Sequence, residues 1–208
     1  MKYDFINVAD RAGCTAVKID THEIKRDLGM NLYEDSIPMW IADMDFNCAP
    51  EIVEGIQQRV ARATFGYSGF SDEYFQTLCS WYKNRLGMNF SSEQILFSYG
   101  TLFAIRDIVR AFTDKGDGVI IQPPVYYPFR NIISECKREV VDNHLIMDAQ
   151  NRYTIDFEDF ESKCKEPKNK LFILCNPHNP IGQIWSVEDV QRMLDICRAN
   201  DVLLLSDE

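Results

Sequence analysis

Several short, almost wholly apolar runs, separated by stretches long enough to hold a helix, constrain this chain more than any other feature. Val119-Ile-Ile-Gln122, Lys170-Leu-Phe-Ile-Leu-Cys175 and Val202-Leu-Leu-Leu205 lack the apolar/polar alternation of a strand with one face in water. Strands apolar on both faces belong inside a parallel sheet with helices above and below. Ile95-Leu-Phe-Ser-Tyr99 predicts a further short strand, and Glu139 to His144 another. Between these runs the apolar period changes. From about Ala49, the residues Ile52, Ile56, Val60 and Ala63 fall three and four apart, as on one helix face, until the Gly66-Tyr-Ser-Gly69 turn. Asp72 to Leu86 reads as a second helix, capped by Ser71 and stopped by Gly87. Leu102, Ile105, Val109 and Phe112 mark a third, and Tyr126 to Cys136 and Phe157 to Cys164 predict shorter ones. Ser186-Val-Glu-Asp189 has the form of a capping box and opens a helix to about Asn200. Strands alternating with helical crossovers predict an α/β fold with a mostly parallel sheet covered on both faces. Residues 1–48 are less regular and predict an arm or part of a small domain, with 49–208 forming the α/β domain.

Composition narrows the partners. At 208 residues and 46% hydrophobic, the chain is able to bury a sizeable core. A formal charge of -10, with no block of Lys and Arg, argues against nucleic acid or anionic lipid as a partner. No apolar run approaches the roughly 20 residues of a membrane span, and the opening MKYDFINVADRAGC has no signal-peptide core. Seven cysteines without a Cys-x-x-Cys pair predict a reducing compartment, the cytoplasm. The dispersed His22, His144 and His178 match no zinc spacing, so no metal is expected.

Candidate chemistry gathers where apolar runs end. Val202 to Glu208 finishes on Ser206, Asp207 and Glu208, which delivers a carboxylate to the carboxyl end of a buried strand. Open α/β sheets bind ligands at such ends, although Asp207 could equally cap a following helix. An ending at this point predicts a missing next element, so the chain reads as the front part of a larger protein. Gly100, Thr101 and Leu102 join a strand to a helix and leave free N–H groups for a phosphate, or form a plain turn. Gln122-Pro-Pro-Val-Tyr-Tyr-Pro128 stiffens a loop whose Tyr126 and Tyr127 could stack on a flat ligand or pack on the next helix. Cys175-Asn-Pro-His-Asn-Pro-Ile-Gly182 compresses a strand exit into a constrained polar loop, in which Asn179 ranks above His178 as a ligand group. Met39 to Phe46 sets Asp43 and Asp45 in an apolar run. They read as a weak divalent-metal pair or as acids in a segment lining a pocket.

Taken in order, DFINVADRAGC, PMWIADMDF (38–46), FGYS (65–68), SYGTL (98–102), PPVYYPF (123–129), CNPHNPIG (175–182) and SDE (206–208) resemble the pyridoxal-phosphate enzymes of the aspartate-aminotransferase fold. Asn-Pro-x-Gly points to the class I/II aminotransferase superfamily at large. The IADMDF and FGYS segments are similar to the cystathionine β-lyase or carbon–sulfur lyase branch, the MalY/PatB group. The resemblance implies a three-layer α/β/α large domain of the pyridoxal-phosphate transferase fold, here truncated. It also implies roles for residues. The turn of Gly100, Thr101 and Leu102 would bind the cofactor phosphate, and Tyr126 would stack on the pyridine ring. Asn179 would hydrogen-bond the ring's phenolic oxygen, and Asp207 would pair with the pyridine nitrogen. Tyr67 would reach the phosphate of a neighbouring subunit, and Ile41 and Asp43 would line the substrate pocket.

The family's Schiff-base lysine is expected beyond Glu208, together with the rest of the large domain and a C-terminal small domain. The 208 residues alone are therefore expected to be inactive, with uncovered strand edges. The implied parent is a cytoplasmic homodimer carrying out α,β-elimination on a sulfur amino acid such as cystathionine, giving a thiol, pyruvate and ammonia. An aminotransferase of the same fold is the nearest alternative. A non-catalytic interaction module is a third, disfavoured by the presence of Tyr126, Asn179 and Asp207.

Overall fold

A computed structural model describes residues 3–11, 13–31, 33 and 36–208, with Asp27 and Leu28 described in backbone only. Ala12, inside the DFINVADRAGC segment, lies outside the described residues. The chain divides into two compact units, 1–74 and 75–208, a later division than the change of pattern at Ala49.

In the first unit, α1 (Thr21–Leu28) forms where the sequence looked irregular. The Asp20 carboxylate accepts the N–H groups of His22 and Glu23 at 2.9 and 3.1 Å, and Gly29 at φ 66° closes the helix. An eight-residue helix is too short for apolar period to reveal, so its caps were the only signal. α2 (Pro50–Ala61) starts on a proline, whose missing N–H costs nothing at that position. It stops short of the predicted Ala63, which turns out of the helix at φ 52°. Ile52, Ile56 and Val60 share a face as expected, yet all three are exposed. α3 (Asp72–Leu86), within which the division falls, keeps both predicted ends. The Ser71 hydroxyl accepts the Tyr74 N–H at 3.2 Å, and Gly87 takes φ 70°.

The second unit is a four-stranded parallel sheet in the order β2-β1-β5-β6. Its strands are β1 (Gly118–Ile121), β2 (Glu139–Asp142), β5 (Asn169–Cys175) and β6 (Leu203–Asp207). A small antiparallel hairpin, β3 (Ile146–Met147) with β4 (Tyr153–Thr154), was not foreseen, because two-residue strands carry no period. The helices are α4 (Thr101–Phe112), α5 (Pro128–Glu135), α6 (Phe157–Lys165) and α7 (Val187–Ala199).

Strand period two sorts the core into two layers. Val119 and Ile121 of β1 and Leu171, Ile173 and Cys175 of β5 face Ile105 and Val109 of α4 and Phe129, Ile132 and Ile133 of α5. Ile120, Phe172 and Leu174 point the other way, to Phe160 and Cys164 of α6 and Met193 and Cys197 of α7. The expectation of a parallel sheet with helices on both faces holds. α7 opens as its sequence predicted, with the Ser186 hydroxyl accepting the Asp189 N–H at 3.0 Å. Ile95 to Tyr99 does not form the predicted strand. Ile95 is extended at φ -109°, but no strand among the described residues pairs with this segment, and Leu96 and Tyr99 are exposed. Without a ladder to satisfy its N–H and C=O groups, an apolar run is no strand.

Candidate functional site

Parallel pairing brings the carboxyl ends of β1, β5 and β6 to one edge of the sheet. Cys175 stands opposite Asp207 in the ladder, and the Asn176 N–H donates to the Asp207 carbonyl at 3.0 Å. The exits of β5 and β6 are thus neighbours. Asp207 is half-buried, and burial pushes its carboxyl above the usual aspartate value. Among the described residues no side chain donates a hydrogen bond to it or pairs with its charge.

From β5 the chain enters the Asn-Pro-His-Asn-Pro loop. The Asn179 N–H donates to the Cys175 sulfur at 3.4 Å, which fixes the backbone of this exposed residue. The Asn176 carbonyl oxygen of the side chain accepts the Trp185 N–H at 3.1 Å and ties down the loop's far side. Burial pushes the Cys175 thiol up, so it remains a protonated structural group. From β1 the chain passes Gln122, whose amide donates to Asn143 at 2.9 Å, and then the two prolines to Tyr126. Tyr126 is half-buried, its ring edge-to-face with Phe129 at 5.6 Å and 87°. Leu102, Tyr126 and Leu205 all pack on the same core layer, so the start of α4, the proline loop and the end of β6 share a foundation.

The start of α4 differs electrically from most of its counterparts. α1, α2, α3, α6 and α7 each carry an acid in the first turn, whereas α4 carries none and has no side-chain cap. Its free N–H groups and positive dipole end are left uncompensated, as a bound anion requires. Gly100 sets the entry at φ 146° and ψ 160°, a region open essentially to glycine alone. Among the described residues nothing lies within 4 Å of where a Cβ would stand, so an alanine there meets a conformational penalty and no clash with them. Gly100→Ala is expected to cost about 1–3 kcal/mol. For a chain of this size each kcal/mol lowers Tm by roughly 2–4 °C. Thermal denaturation checks it, and an unchanged Tm would show that the turn does not need a glycine.

The remaining predicted residues lie in the first unit. Tyr67 is fully exposed and Ile41 half-buried. Asp43 accepts Arg11 Nη1 at 3.1 Å, and its backbone carbonyl accepts Lys18 Nζ at 2.7 Å. The same ammonium reaches Asp45 at 2.8 Å, Arg11 also donates to the Met44 carbonyl, and Trp40 Nε1 donates to the Lys18 carbonyl at 3.1 Å. Lys18, only 5% exposed, is therefore the centre of the 38–46 segment, and sequence reasoning missed it. Its partners lie 25 and 27 residues away, beyond any local pattern. His178 was placed below Asn179, yet it is fully buried and reaches across to the other loop. The available signal was its position between two Asn-Pro steps.

Residues 30–208 match the family described as aminotransferase class I and II. Cystathionine beta-lyase PatB of Bacillus subtilis is 39% identical over 92% of the chain, which spans 50% of that protein. Cystalysin from Treponema denticola, whose crystal structure contains a pyridoxal 5'-phosphate cofactor, superposes with a TM-score of 0.89 at 34% identity, over 100% of this chain and 52% of its own. The pyridoxal-phosphate-bound C-S lyase from Staphylococcus hominis gives a TM-score of 0.86 at 32% identity, over 100% and 51%. The chain spans about half the length of the relatives it matches.

Proposed function

Because the chain belongs to the class I and II aminotransferase family, we propose that the whole protein is a pyridoxal-phosphate-dependent carbon–sulfur β-lyase. Its substrate would be cystathionine or another S-substituted cysteine, cleaved with one water into a thiol, pyruvate and ammonia. The observation that carries the reading is the pairing of a desolvated, unpartnered carboxylate at the end of β6 with an acid-free helix start at α4. One suits a pyridinium nitrogen, and the other suits a phosphate. Pyridoxal phosphate, when bound, supplies an electron sink for negative charge at the substrate Cα.

In this reading the chain's residues bind, orient and hold charge. The N–H groups of Thr101 and Leu102 after Gly100 take the phosphate, the Tyr126 ring covers one face of the pyridine, and the Asn179 amide donates to the phenolic oxygen. Asp207 keeps a proton on the ring nitrogen, since a carboxylate nearby favours the charged form of its partner. Tyr67 serves the phosphate of a second subunit in a homodimer, and Ile41 and Asp43 line the substrate pocket. Residues 1–48 form an arm or part of a small domain, and 49–208 part of the large domain. The base for the Cα proton is assigned to the family's lysine, expected beyond Glu208. A cytoplasmic setting accords with seven free cysteines and with the lack, among the described residues, of any helix long and apolar enough to cross a membrane.

The 39% identity to a cystathionine β-lyase favours the lyase, while the family's own description favours an aminotransferase. Incubation of the whole protein with cystathionine, with and without a keto-acid acceptor, separates them. Pyruvate and thiol without acceptor are expected. Keto acid formed only when an acceptor is present would replace the lyase by the aminotransferase.

A further inference from the structure

We propose that His178 is a positioning residue that sets the spacing between the two loops bearing Asn179 and Tyr126, an inference that rests on the pyridoxal-phosphate reading above. The residue is 1% exposed, so its imidazole is withdrawn from solvent. Its Nε2 lies 3.0 Å from the Pro124 carbonyl oxygen, on the loop that leaves β1 two residues before Tyr126. A carbonyl only accepts, so Nε2 carries the proton. Among the described residues Nδ1 has no hydrogen-bond partner, which leaves it the acceptor of a neutral ring. Burial, the larger influence, holds the ring below the usual histidine value against the opposing pull of nearby carbonyls.

The rest of the residue is held equally firmly. Its N–H donates to the Gln183 carbonyl at 2.7 Å, its carbonyl accepts the Gly182 N–H at 2.7 Å, and the ring stands edge-on to Trp185 at 5.5 Å and 81°. The backbone is thereby fixed to its own loop while one side-chain bond reaches the other. Asn179 follows directly in sequence, anchored by its own N–H on the Cys175 sulfur. β1 and β5 are adjacent strands, and the hydrogen bond from His178 to Pro124 ties their exits together beyond the last ladder pair. A ring-stacking tyrosine on one exit and an amide on the other need a fixed separation to engage one flat ligand, since small misplacements weaken directed contacts.

Two substitutions in the whole protein test the reach of that bond. His178→Gln places an amide nitrogen the same number of bonds from the backbone as Nε2, and His178→Asn falls one bond short. Pyridoxal phosphate affinity by equilibrium dialysis, the absorption spectrum of the bound cofactor and the Tm of the cofactor-free protein are measured for each. The Asn variant is expected to bind about tenfold more weakly, the effect of one neutral hydrogen bond, and to shift the bound spectrum. The Gln variant should keep the wild-type affinity and spectrum. Should the Asn variant fail to fold, His178→Met, which fills the ring's volume without a donor, takes its place with the same expectation. Variants that lower Tm yet leave affinity and spectrum unmoved would reduce His178 to a structural residue and overturn the proposal. So would Gln and Asn variants that behave alike. Wild-type protein that binds no pyridoxal phosphate would overturn the functional reading and this inference together, which distinguishes the two failures.

Discussion

On the proposed lyase reading, Asp207→Asn in the whole protein is expected to lower turnover of cystathionine by about 100- to 1000-fold, the loss that follows removal of one preorganised electrostatic partner from an enzyme site. The amide has the carboxylate's shape but no charge, so it cannot hold a proton on a pyridine nitrogen. Loss of turnover should exceed any change in KM, because the charge matters most when electrons move into the ring. In the cofactor-free protein the same substitution should act in the opposite direction. The Asp207 carboxyl is raised by burial alone, so the folded state binds its proton more tightly than the unfolded state, whose value is near 3.8. Above the raised folded value, both states are ionised and the full desolvation penalty falls on the fold. As pH drops through that value, the carboxyl takes up a proton in the folded state and the penalty is relieved. Asp207→Asn should therefore stabilise the cofactor-free protein at neutral pH, by a margin that shrinks on acidification. Urea denaturation of both proteins across that range measures it. A variant that keeps near-normal turnover, or is less stable than wild type at neutral pH, would remove Asp207 from the role assigned to it.

Phe172→Ala is expected to cost about 3–5 kcal/mol, a large share of the stability of an ordinary domain. Phe172 is fully buried on β5, with β1 on one side and β6 on the other. Its ring meets Phe160 of α6 at 4.8 Å and 66°, in the layer that also holds Met193 and Cys197 of α7. Truncation opens a cavity where two helices and the central strands converge, and close-packed neighbours relax only partly to fill it. Phe172→Leu should cost distinctly less, since it retains most of the buried volume. A shift in the urea midpoint reads both. Equal losses would mean that ring shape, and not filled volume, is what the site requires.

Much of the second unit was legible in the sequence because its signals are local. Continuous apolar runs marked β1, β5 and β6, and Gly87 and Ser186 marked helix ends by capping chemistry that acts within three or four residues. Tyr126, Asn179 and Asp207 fell at the exits of β1, β5 and β6 for the same reason, because a run that stops at a proline, an asparagine or an acid announces its own end. The failures were of a different kind. Ile95 to Tyr99 has strand composition but no ladder partner among the described residues. The α2 segment forms the helix its period predicts, and only the burial of its stripe is missing. For a strand, composition states what a segment is able to form, and a ladder partner decides whether it does.

The aspartates show the division most clearly. Asp43 lies within an apolar run and Asp207 at the end of one, and each reads from sequence as an acid at a pocket. Asp43 is paired with Arg11, 32 residues earlier, in a segment organised by the buried Lys18. Asp207 is left with burial and no counter-charge among the described residues. By itself the sequence determined β1, β5 and β6, where they end and the residue types delivered there, because hydrophobic period and capping act over a few residues. Which carboxylate is paired, which is left without a counter-charge among the described residues, and which histidine spans two loops were decided by the tertiary structure. Charge pairing and desolvation depend on distances between groups far apart in the chain, and those distances exist only once the sheet has assembled.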